Sequence, residues 1–547
     1  MAQKSPFDHG TKTVKPKWWR VLVRIIFGKT IPQMLFRAYL LLIIIGSLLL
    51  WAPISLESSG HMYVLDDTGW IVPAPYHFYD AMFIACSAIT DTGLSPAVIS
   101  ETFNGFGQAV VLILIEIGGI GLMTIIFLLW HMLRPKKNID LNQIIILQAE
   151  RGNEKISGTY KSLKYSVIFI IVLEIIFGFV MAFWLCWMPI FKPDPQPVFY
   201  DSFALTIDSV TPIDAHHNFW VALWQGMFTS ISAINNAGFD IFEGGVSMAA
   251  LRNDWNVIFQ LFVIIEFVIG GIGFPLIYDL IEKMKAKRKG IKYRLSLFTK
   301  LSLTGYLVVS LAGLAFAYGF EYGYTSVISD HQVFDIAHYK CGILSWQGTN
   351  EFGKNETFNK IWAIFFNTMS TRSAGFSTVN QTILSPGSQW TFIILMFVGA
   401  SPSSTAGGIR TTTLMIVIWT IFSKIAGRSD IVMFKRKIPN AKVRASLLTT
   451  VVATMLVALF AIIVFYCAPD SNSQYTVLQS FYEVSSAFGT VGLSMGFTSS
   501  INVAGLFFLI IIMFIGQLGI SSTLLAWTKK NPKGNRVQYP EEDVRIG

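Results

Sequence analysis

Long apolar segments alternate with polar segments along the whole of this 547-residue chain. Eight of the apolar segments are long enough to cross a hydrocarbon core of about 30 Å, which requires about 20 helical residues. They occupy residues 35–54, 108–133, 165–190, 256–281, 298–320, 390–422, 446–468 and 503–527. Only 14% of the residues are charged, against about 25% in soluble proteins. The pattern therefore predicts an all-α polytopic membrane protein.

Four shorter apolar stretches lie between the members of successive pairs of long segments. They occupy residues 78–90, 219–234, 361–371 and 476–488. Each stretch is too short to cross the membrane, and each runs directly into a small polar segment that contains glycine. We therefore expect four short helices that enter the membrane and end inside it.

The four glycine-containing segments resemble one another. They read "SAITDTGLSP", "SAINNAGF", "STRSAGFST" and "SAFGTVGLS", and they align on Gly93, Gly238, Gly375 and Gly492. Repetition at this period indicates one unit of span, short helix and span that is used four times. The predicted organisation is a basic arm (1–34), four repeats (35–134, 135–290, 291–423 and 424–528) in a pseudo-fourfold arrangement around one pore, and a tail (529–547).

Non-helical backbone at membrane depth is tolerated only where it is buried in protein or lines a wet cavity. Four such segments around one axis form a ring of carbonyl groups, and a ring of this kind replaces the hydration shell of a cation in selectivity filters. Glycine allows the positive φ angles that such a turn requires. For any single segment a plain turn between helices is the alternative, but four in register favour one shared cation site.

The basic residues predict the orientation of the chain. Of the 42 Lys and Arg residues, 35 lie in residues 1–37, 134–164, 283–300, 424–444 and 529–547. Placing these five stretches on one side makes that side cytoplasmic by the positive-inside rule, with both termini inside. The net charge of +9 then reflects membrane topology, and nucleic acid is not predicted as a partner.

Three of the repeated segments, together with "GASPSSTAGGIRTTT" at 399–413, resemble the potassium-translocating subunits of the Trk/Ktr/HKT superfamily. The resemblance covers about residues 30–530. Eight spans without an extra N-terminal pair resemble the KtrB type of this TrkH-like fold more than the TrkH type. The resemblance implies potassium uptake across a bacterial plasma membrane, a homodimer surrounded by membrane lipid, and a cytosolic nucleotide-binding ring of the KtrA or TrkA type with RCK domains.

The resemblance also implies a role for each repeated segment as one quarter of a K⁺ selectivity filter. The filter residues would be Thr90, Asp91, Thr92, Gly93, Asn235, Asn236, Ala237, Gly238, Ser373, Ala374, Gly375, Thr490, Val491 and Gly492. Glycine at all four central positions favours K⁺ over Na⁺ in this superfamily. Arg372 would support the third filter segment.

Within the third repeat's second span, residues 399–408 are too rich in Gly and Ser to remain a plain helix. In the superfamily this stretch is an intramembrane gate loop, and the alternative from the residues alone is a close helix–helix contact made by small side chains. The gate would comprise Gly399, Ala400, Ser401, Pro402, Ser403, Ser404, Thr405, Ala406, Gly407, Gly408 and Gln517.

Two positions depart from the superfamily pattern. Gln517 stands where an Arg is usual, and we expect a leakier or differently gated pore. Asp91 stands where an apolar or hydroxyl residue is usual; it either concentrates cations at the outer mouth or pairs with protein groups.

Three glutamates, Glu116, Glu174 and Glu266, lie inside predicted spans. Intramembrane carboxylates indicate either a proton relay or hydrogen bonds to neighbouring helices. A proton relay would make the protein an obligatory Na⁺- or H⁺-coupled K⁺ symporter instead of a channel-like transporter. Neither a clustered catalytic set nor a nucleotide-binding Gly-x-x-x-x-Gly-Lys-Ser/Thr loop is visible, so the sequence predicts no enzyme and no bound cofactor, and any nucleotide would act through a partner.

Overall fold

The computed structural model describes residues 31–57, 60–65, 71–122, 124–125, 159–188, 215–242, 256–330, 343–344, 356–402, 404–428, 430–468 and 476–520. Most of the predicted basic arm (1–34), the basic loop up to residue 158, the tail (529–547) and Ser403 of the predicted gate lie outside the described residues.

The described residues form α-helices and two short antiparallel hairpins. In chain order they are α1 (Ile31–Trp51), β1 (Met62–Leu65), β2 (Ile71–Ala74), α2 (Phe78–Ile89), α3 (Ile99–Thr102), α4 (Gly105–Ile120), α5 (Thr159–Trp187), α6 (Phe219–Ile234), α7 (Val257–Ile272), α8 (Phe274–Arg288), α9 (Leu297–Asp330), α10 (Glu356–Ser370), α11 (Pro386–Phe397), α12 (Thr411–Ile425), β3 (Val432–Met433), β4 (Arg436–Lys437), α13 (Asn440–Tyr466), α14 (Val477–Gly489) and α15 (Val503–Leu518). Met62 pairs with Ala74 in the first hairpin, and Val432 pairs with Lys437 in the second.

The first long segment of each predicted repeat is a continuous helix. Within the described residues, four helices are long and apolar enough to cross a membrane, and they lie in α1, α5, α9 and α13. Their surfaces expose large apolar side chains, among them Leu48, Ile176 and Met455. Such a surface is stable against lipid and unstable against water, so the architecture is that of a helical multi-pass membrane protein.

The second long segments do not form continuous helices. Helices α4, α7 and α15 end immediately before Gly121, Gly273 and Gly519, whose φ angles are +88°, +91° and +81°. A positive φ interrupts the helical hydrogen-bond ladder, and glycine adopts it at little cost. Between α7 and α8 the chain bends by 98°. The predicted span over 256–281 is therefore a bent pair of helices and not one straight helix.

The third repeat interrupts its second span differently. Helix α11 ends at Phe397 and α12 begins at Thr411, and the intervening residues form the Gly/Ser-rich segment 399–408. The backbone on either side of this segment is joined by a parallel bridge between Val398 and Ile409. The segment is therefore a loop between α11 and α12 whose two ends are held together by this bridge.

The short helices α2, α6, α10 and α14 occupy the four predicted short apolar stretches. Each packs against the long helix before it. In addition, α2 packs against α4, α6 against α7, and α14 against α15. Their start is set by local capping in two cases. The Thr476 hydroxyl accepts a bond from the Gln479 N–H while Gln479 Oε1 accepts the Thr476 N–H, at 3.4 and 2.7 Å. His77 and Asp80 form the corresponding capping box on α2.

Helices α5 and α6 pack through glycine at close range. A Cβ atom on Gly226 of α6 would lie 2.7 Å from both the Ala182 nitrogen and the Gly178 carbonyl oxygen of α5. These are backbone atoms that cannot move aside as a side chain would. Gly226 therefore sets how closely the second short helix approaches its neighbour, as small residues do in membrane helix pairs.

We expect Gly226→Ala to lower the free energy of unfolding by about 1–3 kcal/mol, because the added methyl group overpacks a backbone contact. The matched control is Gly319→Ala in α9, where nothing lies within 4 Å of the new Cβ; alanine is also the better helix former by about 1 kcal/mol. Thermal unfolding in detergent measures both variants. Equal melting temperatures for the two would contradict the close-packing argument.

Candidate functional site

The four short helices end with the same backbone geometry. The residue two positions before each central glycine has a positive φ although it is not glycine: Asp91 (+49°), Asn236 (+59°), Ser373 (+63°) and Thr490 (+46°). Asn and Asp adopt this left-handed conformation more readily than other residues, whereas for a β-branched residue such as threonine it is an outlier. The chain thus accepts strain at this position in order to make the turn.

The turn closes the helix end with backbone hydrogen bonds. After α2, the Thr92 and Asp91 N–H groups donate to the Ser87 and Ala88 carbonyl oxygens, at 2.9 and 3.2 Å. The same pair of bonds follows α6 and α14, from residues 237 and 236 and from residues 491 and 490. This is a Schellman closure, which satisfies carbonyl groups that a helix end would leave unpaired. The third copy differs, because the Ala374 N–H donates to Ser370.

The four central glycines lie against one another in a closed cycle. A Cβ atom on Gly93 would lie 3.1 Å from the Gly238 Cα, and one on Gly238 would lie 2.8 Å from the Gly375 Cα. A Cβ atom on Gly375 would overlap the Val491 carbonyl oxygen, and one on Gly492 would lie 3.0 Å from the Gly93 Cα. All four glycines have positive φ, between +71° and +96°. Any side chain at these positions would strike the backbone of the neighbouring segment.

The structure therefore brings together the predicted filter residues from four distant parts of the chain. The residues that flank the glycines are fully buried, including Thr92, Asn236, Ser373 and Thr490. The helices that precede them point their C-terminal ends at the cycle, and a helix C-terminus carries a partial negative charge. The arrangement presents backbone oxygen atoms and favours a cation.

Segment 399–408 lies against the same turns, is hydrogen-bonded directly to two of them and is joined to a third through Gln517. The Thr405 hydroxyl donates to Asn236 Oδ1 at 3.0 Å, and the Gly407 N–H donates to Thr490 Oγ1 at 2.7 Å. Gln517 Nε2 lies 3.2 Å from the Thr405 carbonyl oxygen and 3.3 Å from Asp91 Oδ2. The left-handed residues Asn236 and Thr490 are thus direct partners of the segment, and Asp91 is linked to it through Gln517.

Asp91 is fully buried. Its carboxylate faces Gln517, and through it Thr405, because Asp91 is the residue at which the chain turns back after α2. Of the two roles that the sequence left open, the structure shows pairing with protein groups. The two departures from the superfamily pattern, Asp91 and Gln517, are therefore in contact with each other.

Arg372 is fully buried beside the third turn. Its guanidinium donates to the carbonyl oxygens of Leu395, Val398 and Gly399, the last at 2.9 Å, and it lies 5.1 Å from the Tyr306 ring centroid. These carbonyls belong to the end of α11 and the start of segment 399–408. Arg372 is therefore bonded to the backbone on both sides of the point where the second span breaks.

The second spans contact the turns through glycine in the same way in three repeats. A Cβ atom on Gly118, Gly270 or Gly516 would overlap the carbonyl oxygen of Ile89, Ile234 or Phe488, respectively. Each of these carbonyls lies four residues before the central glycine of its segment. The repeated contact shows that the sequence similarity of the second spans reflects one packing geometry.

The three glutamates of the predicted spans are hydrogen-bonded; Glu174 and Glu266 are buried and Glu116 is half-buried. Asn235 Nδ2 donates to Glu116 at 3.0 Å and to Glu174 at 3.1 Å, and Ser230 Oγ lies in hydrogen-bond contact with Glu266. A fourth carboxylate, Glu483 in α14, was missed by the sequence analysis. It accepts bonds from Ser494 and Thr498 beyond the fourth turn. The sequence feature that could have indicated Glu483 is its place in the middle of a short apolar helix.

Comparison with known proteins places the chain in a family. The model of the TrkH family, described as a cation transport protein, matches residues 63–539. An uncharacterized cation transporter of Mycoplasma pneumoniae, the MG322 homolog, is 35% identical over 97% of this chain and 99% of its own. The Ktr system potassium uptake protein B of Bacillus subtilis is 29% identical over 95% of this chain and 97% of its own.

A solved structure shares the fold. The potassium transporter TrkH from Vibrio parahaemolyticus superposes with a TM-score of 0.56 at 15% identity, over 83% of this chain and 79% of that one. The match of the family model over most of the chain and the 35% identity over nearly its full length establish the relationship. The chain therefore belongs to the TrkH family of cation transport proteins, within the Trk/Ktr superfamily.

Proposed function

We propose that this protein takes up K⁺ across a bacterial plasma membrane through a channel-like pore built from four repeats. The observation that supports this most directly is the closed cycle of Gly93, Gly238, Gly375 and Gly492, each against the backbone of the next segment. A cycle of four turns at helix C-termini offers main-chain oxygens on all sides of one axis, which is what a partly dehydrated cation requires. The name of the Bacillus subtilis relative, a potassium uptake protein, supports K⁺ as the ion.

Segment 399–408 is proposed as the gate of this pore. It lies against three turns of the filter through Asn236, Thr490 and the Asp91–Gln517 pair. Its backbone is anchored at one end by Arg372, which donates to the Gly399 carbonyl oxygen. Hydrogen bonds of this kind contribute about 0.5–1.5 kcal/mol each, so a few of them hold the segment in place while leaving it able to move.

Arg372 supports the filter from outside the ion path in this proposal. Its guanidinium is occupied by main-chain carbonyls and by the Tyr306 ring. A guanidinium facing the ions would repel them, whereas one bonded to carbonyl oxygens fixes the position of the third turn relative to α11. The same bonds stabilise the break that allows the gate segment to exist.

The same proposal includes regulation by a cytosolic partner and assembly as a homodimer. The β3–β4 hairpin lies on the predicted cytoplasmic side and exposes Phe434, Lys435 and Arg436. A basic surface with an exposed aromatic ring is suited to a protein partner such as a nucleotide-binding ring of the KtrA or TrkA type. Charge reversal at Lys435 should then weaken capture of that partner.

An obligatory Na⁺- or H⁺-coupled symporter is the second candidate, and the carboxylates Glu116, Glu174 and Glu266 in the predicted spans favour it. Flux of Rb⁺ into proteoliposomes, with and without a sodium or proton gradient, separates the two functions. Flux that follows the membrane potential alone supports the channel. Strict dependence on a sodium or proton gradient supports the symporter, and absence of Rb⁺ flux under every condition refutes both.

Gly238→Ala is expected to reduce K⁺ flux and K⁺ over Na⁺ selectivity by about tenfold or more, because positive-φ strain costs about 1–3 kcal/mol and the new methyl group meets the Gly375 backbone. The control is Gly427→Ala, which has a similar φ of +70° but open space around the new Cβ. Competitive Rb⁺ and Na⁺ uptake measures both variants. Equal losses in the two would show that backbone strain, and not crowding of the cycle, is responsible.

Gln517→Arg is expected to lower flux, because a guanidinium would form an ion pair with Asp91 and bind the Thr405 carbonyl more strongly than the amide does. Gln517→Ala should raise basal flux, since it removes the bond to Thr405 of the gate segment together with the bond to Asp91 of the first turn. Rb⁺ uptake at fixed membrane potential measures the two variants against the parent. The proposal that Gln517 restrains the gate is abandoned if both variants transport like the parent protein.

A further inference from the structure

Glu266 lies at a junction of three helices. It is on α7 and is fully buried, and its Oε1 is in hydrogen-bond contact with the hydroxyl of Ser230 on α6. The same hydroxyl lies 3.0 Å from the main-chain carbonyl oxygen of Glu174 on α5. Helix α6 is the short helix that carries the second turn of the proposed filter, so this junction attaches that turn to its two neighbours.

The hydrogen bonds at this junction depend on how many protons its groups carry. Ser230 has one hydroxyl proton, and two acceptors lie beside it, the Glu174 carbonyl and Glu266 Oε1. An ionised carboxylate only accepts hydrogen bonds, so the single hydroxyl proton would serve either Glu266 or the Glu174 carbonyl, and not both. If Glu266 carries a proton, it donates to the Ser230 oxygen and Ser230 donates to Glu174. Every group in the contact is then paired.

Two further atoms point to an exchangeable proton. Glu266 Oε2 and Asn235 Oδ1 are buried without a hydrogen-bond partner in the described part of the chain, and both side chains are fully buried. Asn235 lies between Glu116 and Glu174, to which its amide nitrogen donates. An unpaired carboxylate oxygen at such a depth is costly as part of an anion and much less so as part of a neutral acid.

The charged surroundings of Glu266 are of one sign. Of the helices that pack against α7, α5 contributes Glu174, and Glu116 of α4 lies beyond it across Asn235. Helix α6 contributes the Ser230 hydroxyl, which is neutral. Within the described residues, no Lys, Arg or His of α6, α9 or α10 forms an ion pair with Glu266, so no cation offsets a negative charge there.

We propose that Glu266 is a proton-binding site whose occupancy holds the second filter turn in place and thereby controls cation flux. The control of flux rests on the proposed pore function, whereas proton binding does not. Release of the proton to water leaves a carboxylate at Glu266, removes one of the two hydrogen bonds of the Ser230 hydroxyl and sets an anion beside Glu174. The attachment of α6 to α5 and α7 weakens, and flux falls as the pH rises.

Glu483 provides the contrast within the same chain. It is also fully buried inside a short helix, but its Oε1 accepts the Ser494 hydroxyl at 2.5 Å and the Thr498 N–H and hydroxyl at 2.9 and 2.6 Å. Three donors on one oxygen stabilise the carboxylate form. Like Glu266, it leaves its Oε2 without a hydrogen-bond partner in the described part of the chain, so the two glutamates differ in the donors that reach Oε1, at equal burial.

Infrared difference spectroscopy of the full-length protein tests the proton directly and requires no transport. The spectrum of the parent minus Glu266→Gln should contain the carbonyl band of a protonated carboxylic acid at neutral pH, and that band should be lost at high pH. Parent minus Glu483→Gln should contain carboxylate bands instead. A parent minus Glu266→Gln spectrum without the acid band overturns the assignment.

Rb⁺ flux into proteoliposomes as a function of pH tests the consequence. The parent should lose flux as the pH rises, whereas Glu266→Gln, whose amide donates to Ser230 at every pH, should lose this dependence. Ser230→Ala, which keeps Glu266 but removes the bridge, should weaken the dependence in the same direction; monodisperse elution shows that each variant is folded.

The two measurements separate the possible failures. Identical pH profiles for the parent and Glu266→Gln overturn the control of flux, even where the acid band is present. If the parent shows no Rb⁺ flux at any pH, the proposed pore function fails, and proton binding is then decided by the infrared result alone.

Discussion

The structure depends on one constraint, which is that four short helices end among fully buried residues and their terminal carbonyl groups must be paired by the protein itself. A backbone group that is buried away from water without a hydrogen-bond partner is costly. The chain meets the constraint with Schellman closures, in which the N–H groups after the helix return to carbonyls near its end. The closure requires a left-handed residue, and Asp91, Asn236 and Thr490 adopt that conformation after α2, α6 and α14.

The closures also determine which carbonyl groups remain available. Those near the helix end are used by the closing bonds, and the second-span glycines Gly118, Gly270 and Gly516 press against the carbonyl four residues before each central glycine. The backbone that follows then meets its neighbours in a cycle so close that no side chain fits at the central positions. The cation site that we propose is therefore a consequence of how the helix ends are satisfied.

The proposed filter and gate share side chains, which makes them one mechanical unit. Asn236 and Thr490 form the turns and also bond Thr405 and Gly407 of the gate segment. Gln517 joins the same unit by lying between Asp91 and Thr405. A displacement of the gate therefore alters the partners of residues whose backbone is already strained, and a change at the filter reaches the gate through the same bonds.

Much of the design was visible in the sequence alone. The four long helices α1, α5, α9 and α13 and the short helices were predictable because the length of an apolar run is visible in the sequence. The central glycines were predictable because no other residue type adopts a positive φ as readily. The breaks at Gly121, Gly273 and Gly519 were missed, because a glycine within an apolar run is compatible with either a helix or a break until packing decides. The meeting of Asp91 with Gln517, 426 positions apart, and the sharing of one Ser230 proton between Glu174 and Glu266 were decided only by the tertiary structure. Contacts of that kind depend on how helices from different repeats are placed against each other, and no local pattern of residues encodes that placement.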